Sequence, residues 1–369
     1  STARVMTGEP STVQGSTTHI SVSSLYDTRD GNMWVSSREN GIFILDKRNF
    51  SLRRLPEVPG QRPWSQVEPL CIREDADGRI WIATFYAGIF LYTKNGEYLG
   101  VLNSMNSSLP TDKITSLYFD HADQASTRNS GVVKLRMEEN KLSVLKHFYF
   151  SPESSHSLKV NYAWPLLKDK KNRLWIGTLG GGLHVLDAKD QITRYDQWLP
   201  EANVETILEA EDGKLWIGGR GLYKFDPDSK TYLHFDVADG LQSNSFKIGA
   251  AAKDQDGNLY FGGINGISYF KPTEIKGNPH PPKMQITRVR IVHYDDKDPR
   301  AILDGPLQDL TLKDNENDFT IEFVGLNFQN PKKQRYMYQL EGYHDQWIPL
   351  IPGQRMAAFA SIYSCNTKL

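Results

Sequence analysis

The 369-residue chain is poor in the features that mark many functional classes. It has two cysteines, Cys71 and Cys365, too few for a disulfide framework or a four-cysteine metal site. It has no excess charge: 43 Lys and Arg against 44 Asp and Glu leave a formal net charge of −1. Without a basic field or a basic run there is nothing to hold a phosphate backbone, so no nucleic-acid partner is expected. No stretch approaches the roughly 18 to 20 apolar residues of a membrane helix, and the opening "STARVMTGEP" lacks a charged segment followed by an apolar one. The expectation is a chain soluble as given, with any export signal or membrane anchor outside it. Catalytic signatures are missing too: H-E-x-x-H, G-x-S-x-G, a Walker loop and a G-x-G-x-x-G placed between strand and helix are all absent. The nine histidines are scattered without ligand spacing. Asp75 to Gly78 and Asp254 to Gly257 begin like calcium loops, but the twelfth positions are Tyr86 and Asn265, where a bidentate Glu is required. They are expected to be hairpin turns, and neither a metal nor another cofactor is expected.

What the chain does have is one phrase written repeatedly. "GNMWVSSRENGIFIL", "GRIWIATFYAGIF", "NRLWIGTLGGGLHVL", "GKLWIGGRGLYKF" and "GNLYFGGINGISYF" share a Gly or Asn three residues before a ring, an apolar run, a gap containing Gly, and a second apolar run. The rings are Trp34, Trp81, Trp175, Trp216 and Tyr260. One spacing is double the others, which predicts a hidden sixth unit at Ile114 to Leu145, with its ring-bearing strand shrunk to "QAST" and its sheet reduced. Units of about 40 to 47 residues holding four short strands are the sequence signature of β-propeller blades. In the second copy the predicted strands are Val67 to Arg73, Ile80 to Thr84, Gly88 to Tyr92 and Tyr98 to Leu102, lettered A to D. Segments such as "LWIGT" are rich in aromatic and β-branched residues and too short for helices. The repeated Trp is expected to pack between sheets. Gly41, Gly88, Gly182 and Gly266 are expected to be turn or close-approach glycines.

After Lys271 the proline-rich "KPTEIKGNPHPPKM" reads as a linker. Alternating segments follow without the blade phrase. The predicted organisation is therefore all-β: a propeller over residues 1–275 and a small β-sandwich over residues 281–369.

The blade phrase is nearly complete at Asp169 to Leu183, and the later segment carries Phe319, Phe323, Asn330, Pro331, Tyr336, Tyr338, Leu340, Glu341, Gly342 and Trp347 in order. On these residues the chain resembles the extracytoplasmic sensor region of hybrid two-component system proteins of glycan-degrading gut Bacteroidetes. In that family regulator propeller repeats precede an immunoglobulin-like domain named for three tyrosines. The resemblance implies a seven-bladed parent propeller, of which six units are visible and "ARVMTGEP" is an outer strand of a preceding blade. The closing Pro-Pro-Gly-x-Tyr strand of the tyrosine domain is replaced by "MAAFASIYSCNTKL", so the sandwich is read as C-terminally incomplete and the chain as a fragment. It also implies a non-catalytic periplasmic sensor whose parent is a histidine kinase of the inner membrane. Such a sensor binds an oligosaccharide, works as a homodimer, meets the membrane only through an absent transmembrane helix, and controls glycan-utilisation genes.

Antiparallel strand order puts the B–C gaps and the D–A connections on one face and the A–B and C–D turns on the other. The A–B turns are monotonous, whereas the B–C gaps differ in every blade, as a recognition face on a rigid frame would. The candidate ligand residues are Arg38, Asn40, Phe85, Tyr86, Arg220 and Asn265 from the gaps, with Trp64, Tyr162, Trp164 and Asn244 from the connections. Rings stack on sugar faces, and Arg or Asn bind hydroxyl or acidic groups. Two other classes compete: a propeller lyase or hydrolase acting on a polysaccharide, and a protein-interaction scaffold. Nothing in the sequence marks a catalytic carboxylate pair.

Overall fold

The computed structural model describes residues 21–119, 123–127, 130–138, 141–275, 283–292, 300–302, 318–326, 336–351 and 353–360. Residues 3–10, Asn330, Pro331 and Cys365, on which the sequence raised expectations, lie outside that set. The chain divides into two compact units, Ser1–Ile275 and Lys276–Leu369.

Among the described residues the first unit holds five four-stranded sheets and one three-stranded sheet. The first sheet is Val22–Asp27 (β1), Asn32–Ser37 (β2), Gly41–Asp46 (β3) and Ser51–Arg54 (β4). A single helical turn, Trp64–Val67 (α1), leads to the second: Pro69–Glu74 (β5), Ile80–Thr84 (β6), Ile89–Tyr92 (β7) and Tyr98–Leu102 (β8). The third is Ile114–Tyr118 (β9), Asp123–Thr127 (β10), Val132–Glu138 (β11) and Lys141–Phe148 (β12). The fourth is Ala163–Lys168 (β13), Leu174–Thr178 (β14), Gly182–Leu186 (β15) and Ile192–Arg194 (β16), and the fifth Thr206–Glu209 (β17), Leu215–Gly219 (β18), Gly221–Asp226 (β19) and Thr231–Phe235 (β20). The sixth is Phe246–Lys253 (β21), Leu259–Gly263 (β22) and Gly266–Phe270 (β23). Each sheet is an antiparallel meander, and the inner strands neighbour one another in the succession β1, β5, β9, β13, β17, β21. That radial arrangement is a β-propeller.

Two expectations are corrected here. The third sheet is complete: β10 is a full five-residue strand between β9 and β11, because ladder pairing uses backbone groups and does not need the ring. Among the described residues the sixth sheet has three strands where four were expected. The chain leaves β23 through a 3-10 turn at Pro272–Glu274, and the edge residues Ile267 and Tyr269 are each 66% exposed.

The cores lie between sheets. Trp34 packs with Ile72, Ile80 and Tyr92 of the second sheet, Trp81 with Ile114 and Leu117 of the third, and Trp175 with Val204, Ile207 and Phe225 of the fifth. Trp216 packs with Phe246 and Phe261 of the sixth. Each ring thus fastens its blade to the next. Burying a ring of this size stabilises by roughly 1.5 to 3 kcal/mol.

A repeated turn chemistry holds three of the five rings. Asp169 Oδ1 accepts the Lys171 and Arg173 backbone N–H groups at 3.0 and 2.9 Å, while Oδ2 accepts Arg173 Nε at 2.7 Å and Trp175 Nε1 at 2.8 Å. Asp75 does the same for Asp77, Arg79 and Trp81. Asp254 repeats the pattern with Asp256, Asn258 and the Tyr260 hydroxyl. The two calcium-loop lookalikes are therefore hairpin turns whose carboxylates are occupied by N–H and O–H donors. Where the position six residues before the ring is Thr28 or Ala210, the indole N–H of Trp34 or Trp216 has no partner among the described residues.

Gly88 has φ +79°, and a Cβ there would lie 2.1 Å from the Leu102 carbonyl oxygen, so only glycine fits.

The second unit contains Lys283–Val292 (β24), Arg300–Ile302 (β25), Asp318–Leu326 (β26), Met337–Tyr338 (β27), Ile348–Pro349 (β28) and Met356–Phe359 (β29). Its four-stranded sheet runs β25-β24-β26-β29, with β27 and β28 as a separate pair. Val289, Ile291, Phe319, Ile321, Phe323, Tyr336 and Phe359 form its core, and Tyr338 packs against it. Tyr336 Oη also accepts the Gly325 N–H at 3.1 Å. Trp347, by contrast, is 59% exposed.

Candidate functional site

The B–C gaps and D–A connections are stitched together on one face of the propeller. Phe85 N–H donates to the Val67 and Glu68 carbonyls, Leu179 N–H to Tyr162 O, Gly182 N–H to Ala202 O, and Gly221 N–H to Asn244 O. Each of these gaps is thus tied to the connection entering its own blade or the next. The sequence reading of the face rests on this order of strands, and the hydrogen bonds follow it.

The ten candidate residues divide sharply. Trp64 is 2% exposed. It sits in α1, 4.9 Å from the Phe90 ring, and a Cβ on Gly41 would meet its Cδ1 at 2.7 Å. It is a core ring between the first two sheets, not a ligand platform, because the one-turn helix points it inward. Phe85 is 8% exposed and supports Tyr86 edge-on at 4.8 Å, leaving Tyr86, at 42% exposed, as the only accessible ring of that pair. Asn244 Oδ1 accepts the Val237 N–H, and Asn265 Nδ2 donates to the Gln242 carbonyl at 3.5 Å, so both amides brace loops. Arg38 and Arg220 are exposed and Asn40 is half-buried. Arg38, Asn40, Phe85 and Tyr86 belong to the first two sheets. Tyr162, Trp164, Arg220, Asn244 and Asn265 belong to the last three.

Two glutamates that sequence reasoning missed lie among the latter group. Glu201 is buried, accepting Asn203 N–H at Oε1 and Arg220 N–H at Oε2, each at 2.8 Å. It holds the Arg220 loop in place. Glu205 stands just before β17. Burial first, and the neighbouring Glu201 charge second, push its carboxyl up to about 7, against the smaller opposing pull of Lys247 and the Phe246 backbone N–H. Burial and then Glu201 likewise push the Tyr223 hydroxyl up to about 12. The only sequence signal was position: both glutamates flank Asn203 in the connection "PEANVE". Among the described residues no group of three or more His, Cys, Asp or Glu could hold a metal ion.

Comparison with known proteins bears on this arrangement. The family model described as two component regulator propeller matches residues 64–86. Histidine kinase P4 of Formosa agariphila is 24% identical over 257 residues, covering 65% of this chain and 18% of that protein. The extracellular domain assigned to a hybrid two component system of B. thetaiotaomicron is 23% identical, with a TM-score of 0.71, over 93% of this chain and 46% of that one. A streptogramin B lyase is 17% identical with a TM-score of 0.51, covering 67% of this chain and 78% of the lyase. The chain thus carries a regulator propeller repeat, shares its fold with sensor extracellular domains, and spans less than half the length of the first two proteins. Among the described residues no helix is long and apolar enough to cross a membrane.

Proposed function

We propose that this chain is the non-catalytic sensor part of a hybrid two-component histidine kinase, placed outside the cytoplasm, and that it binds an oligosaccharide. The observation that carries the reading is the contrast between the two propeller faces. One is built from repeated Asp-capped turns that only hold rings. The other presents a different set of side chains in each blade, including Tyr86, Tyr162, Trp164 and Arg220. A frame uniform on one side and varied on the other suits recognition. Ligand binding would act on the kinase by favouring one arrangement of two subunits over another, which requires unequal affinity for the two.

A lyase reading has one observation behind it: a glutamate whose carboxyl titrates near neutrality, suited to general-base chemistry, on a fold shared with a streptogramin B lyase. Two measurements on the purified protein separate the readings. A thermal-shift screen against neutral and acidic oligosaccharides should find a ligand that raises stability by about 2.7 kcal/mol at 100 times its Kd. New reducing ends or unsaturated products would instead establish an enzyme.

A further inference from the structure

Among the described residues every inner strand but β17 carries a bulge at its start, by one extra residue in β1, β5, β9 and β13 and by more in β21. In β13, Trp164 and Pro165 together lie opposite Gly177 alone. In β21 the interruption is larger: Lys247 to Ala250, four residues, lie opposite Gly262. Between them β17 pairs regularly with β18. Bulges re-aim side chains and are enriched beside binding and catalytic sites.

The bulges of β13 and β21 meet at Gly249, beside the Glu205 backbone. The Glu205 carbonyl accepts the Gly249 N–H at 2.9 Å. Gly249 is exposed with φ +73°, and a Cβ there would lie 3.5 Å from Trp164 Nε1. The indole of the fourth sheet therefore reaches over the fifth to the bulge of the sixth. Tyr162 lies alongside, its ring centroid 6.3 Å from that of Trp164, and both rings are half-buried.

The Glu205 carboxyl completes the group. Lys247 and Glu201 are the charged groups that act on it. Its Oε2 is buried with no hydrogen-bond partner among the described residues. A buried acceptor in that state is costly until a donor arrives. A ligand hydroxyl would supply that donor, and the Trp164 indole beside the Gly249 bulge would supply an apolar wall. An apolar face and hydroxyl donors are the two surfaces of a sugar ring. Glu201 fixes a negative charge beside the site, which opposes a second carboxylate from an acidic sugar.

From this juxtaposition we infer that Trp164, Glu205 and the Lys247 to Ala250 bulge form a subsite for a neutral sugar ring. Trp164 lies against the apolar face of the ring, and a ring hydroxyl donates to Glu205 Oε2. The inference rests on the reading of this face as a glycan-recognition surface.

The test uses the purified chain, with affinities measured calorimetrically against two probe sets. One holds β-1,4-linked hexaoses of glucose, xylose, mannose and galactose; the other holds oligogalacturonate and oligoguluronate. A member of the neutral set should bind. Glu205→Ala and Trp164→Ala should each weaken that binding at least tenfold, and Trp164→Phe should retain most of it. If a variant does not fold, hydrogen exchange on the wild-type chain decides: the amides of Lys247, Ile248 and Ala250 should gain protection with the neutral ligand. Binding of the acidic set alone would overturn the neutral assignment. A neutral ligand whose affinity survives both alanine variants, with unchanged exchange at the bulge, would move the subsite elsewhere while leaving the glycan reading intact. Binding from neither set would remove the glycan reading and the subsite with it.

Discussion

Replacing Asp169 by Ala should destabilise the propeller far more than an ordinary turn substitution. The carboxylate is buried and accepts four donors within 3.0 Å, two backbone and two side-chain. Burial raises its carboxyl, but the bonds from Trp175, the Arg173 N–H and the Arg173 guanidinium outweigh that and hold it below the usual carboxylate range. Removing it strands the Trp175 indole N–H between the fourth and fifth sheets, at about 1 to 3 kcal/mol. The Arg173 guanidinium, 25% exposed, recovers part of its loss through water. Breaking a buried charged network from one side costs about 3 to 5 kcal/mol in total. At about 2 to 4 °C per kcal/mol for a domain of this size, the melting temperature should fall by roughly 6 to 20 °C. Urea denaturation followed by tryptophan fluorescence and by circular dichroism would measure it. In a Trp175→Phe background the same change should cost about 1 kcal/mol less, since no indole is left stranded. A loss below about 1 kcal/mol in the wild-type background would refute the idea that these turns hold the rings.

The converse change should stabilise. Ala210 already makes the same turn, with its N–H donating to Lys214 O at 2.9 Å, and Trp216 Nε1 lacks a partner; Ala210→Asp, with Lys214 in the place of Arg173, should add about 1 to 2 kcal/mol in the same denaturation assay. On the recognition face, Trp64→Ala should cost about 3 to 5 kcal/mol and Tyr86→Ala less than about 0.5, and equal losses would mean the two rings share an environment. Burial first, and Arg194 second, lower His184 from 6.5 to about 4, and its Nε2 accepts the Lys159 N–H at 3.0 Å. The unfolded chain therefore takes up that proton first, and stability should fall by up to about 3 kcal/mol as pH drops from 6.5 towards 4. His184→Gln, which keeps an acceptor, should flatten that slope. Glu205 runs the other way: its carboxyl is raised from 4.5 to about 7, so stability is lost as pH rises through that window. The advantage of Glu205→Gln over the parent should grow between pH 4.5 and 7, by at most about 3 kcal/mol and less after solvent screening. An advantage that does not change with pH would show that Glu205 titrates normally.

The sequence by itself determined the repeat, the strand content and the place of the rings. A blade is a local object: its strands are joined by short turns, the ring at Trp81 or Trp175 lies six residues from the Asp that holds it, and both positions recur at a readable spacing. The doubled spacing locates the third sheet for the same reason, although the missing ring does not mean a reduced sheet, since β10 pairs through its backbone. What lies between blades was not legible. Trp64 and Phe85 looked like loop aromatics and are buried, because α1 and the tie from Phe85 to Val67 turn them inward. Nor does any local pattern bring residues 164, 205 and 249 together, since they come from three blades about forty residues apart. Only the radial packing of inner strands, with bulges in β13 and β21 that periodicity does not register, brings the Trp164 indole, the Glu205 backbone and the open backbone of Gly249 together.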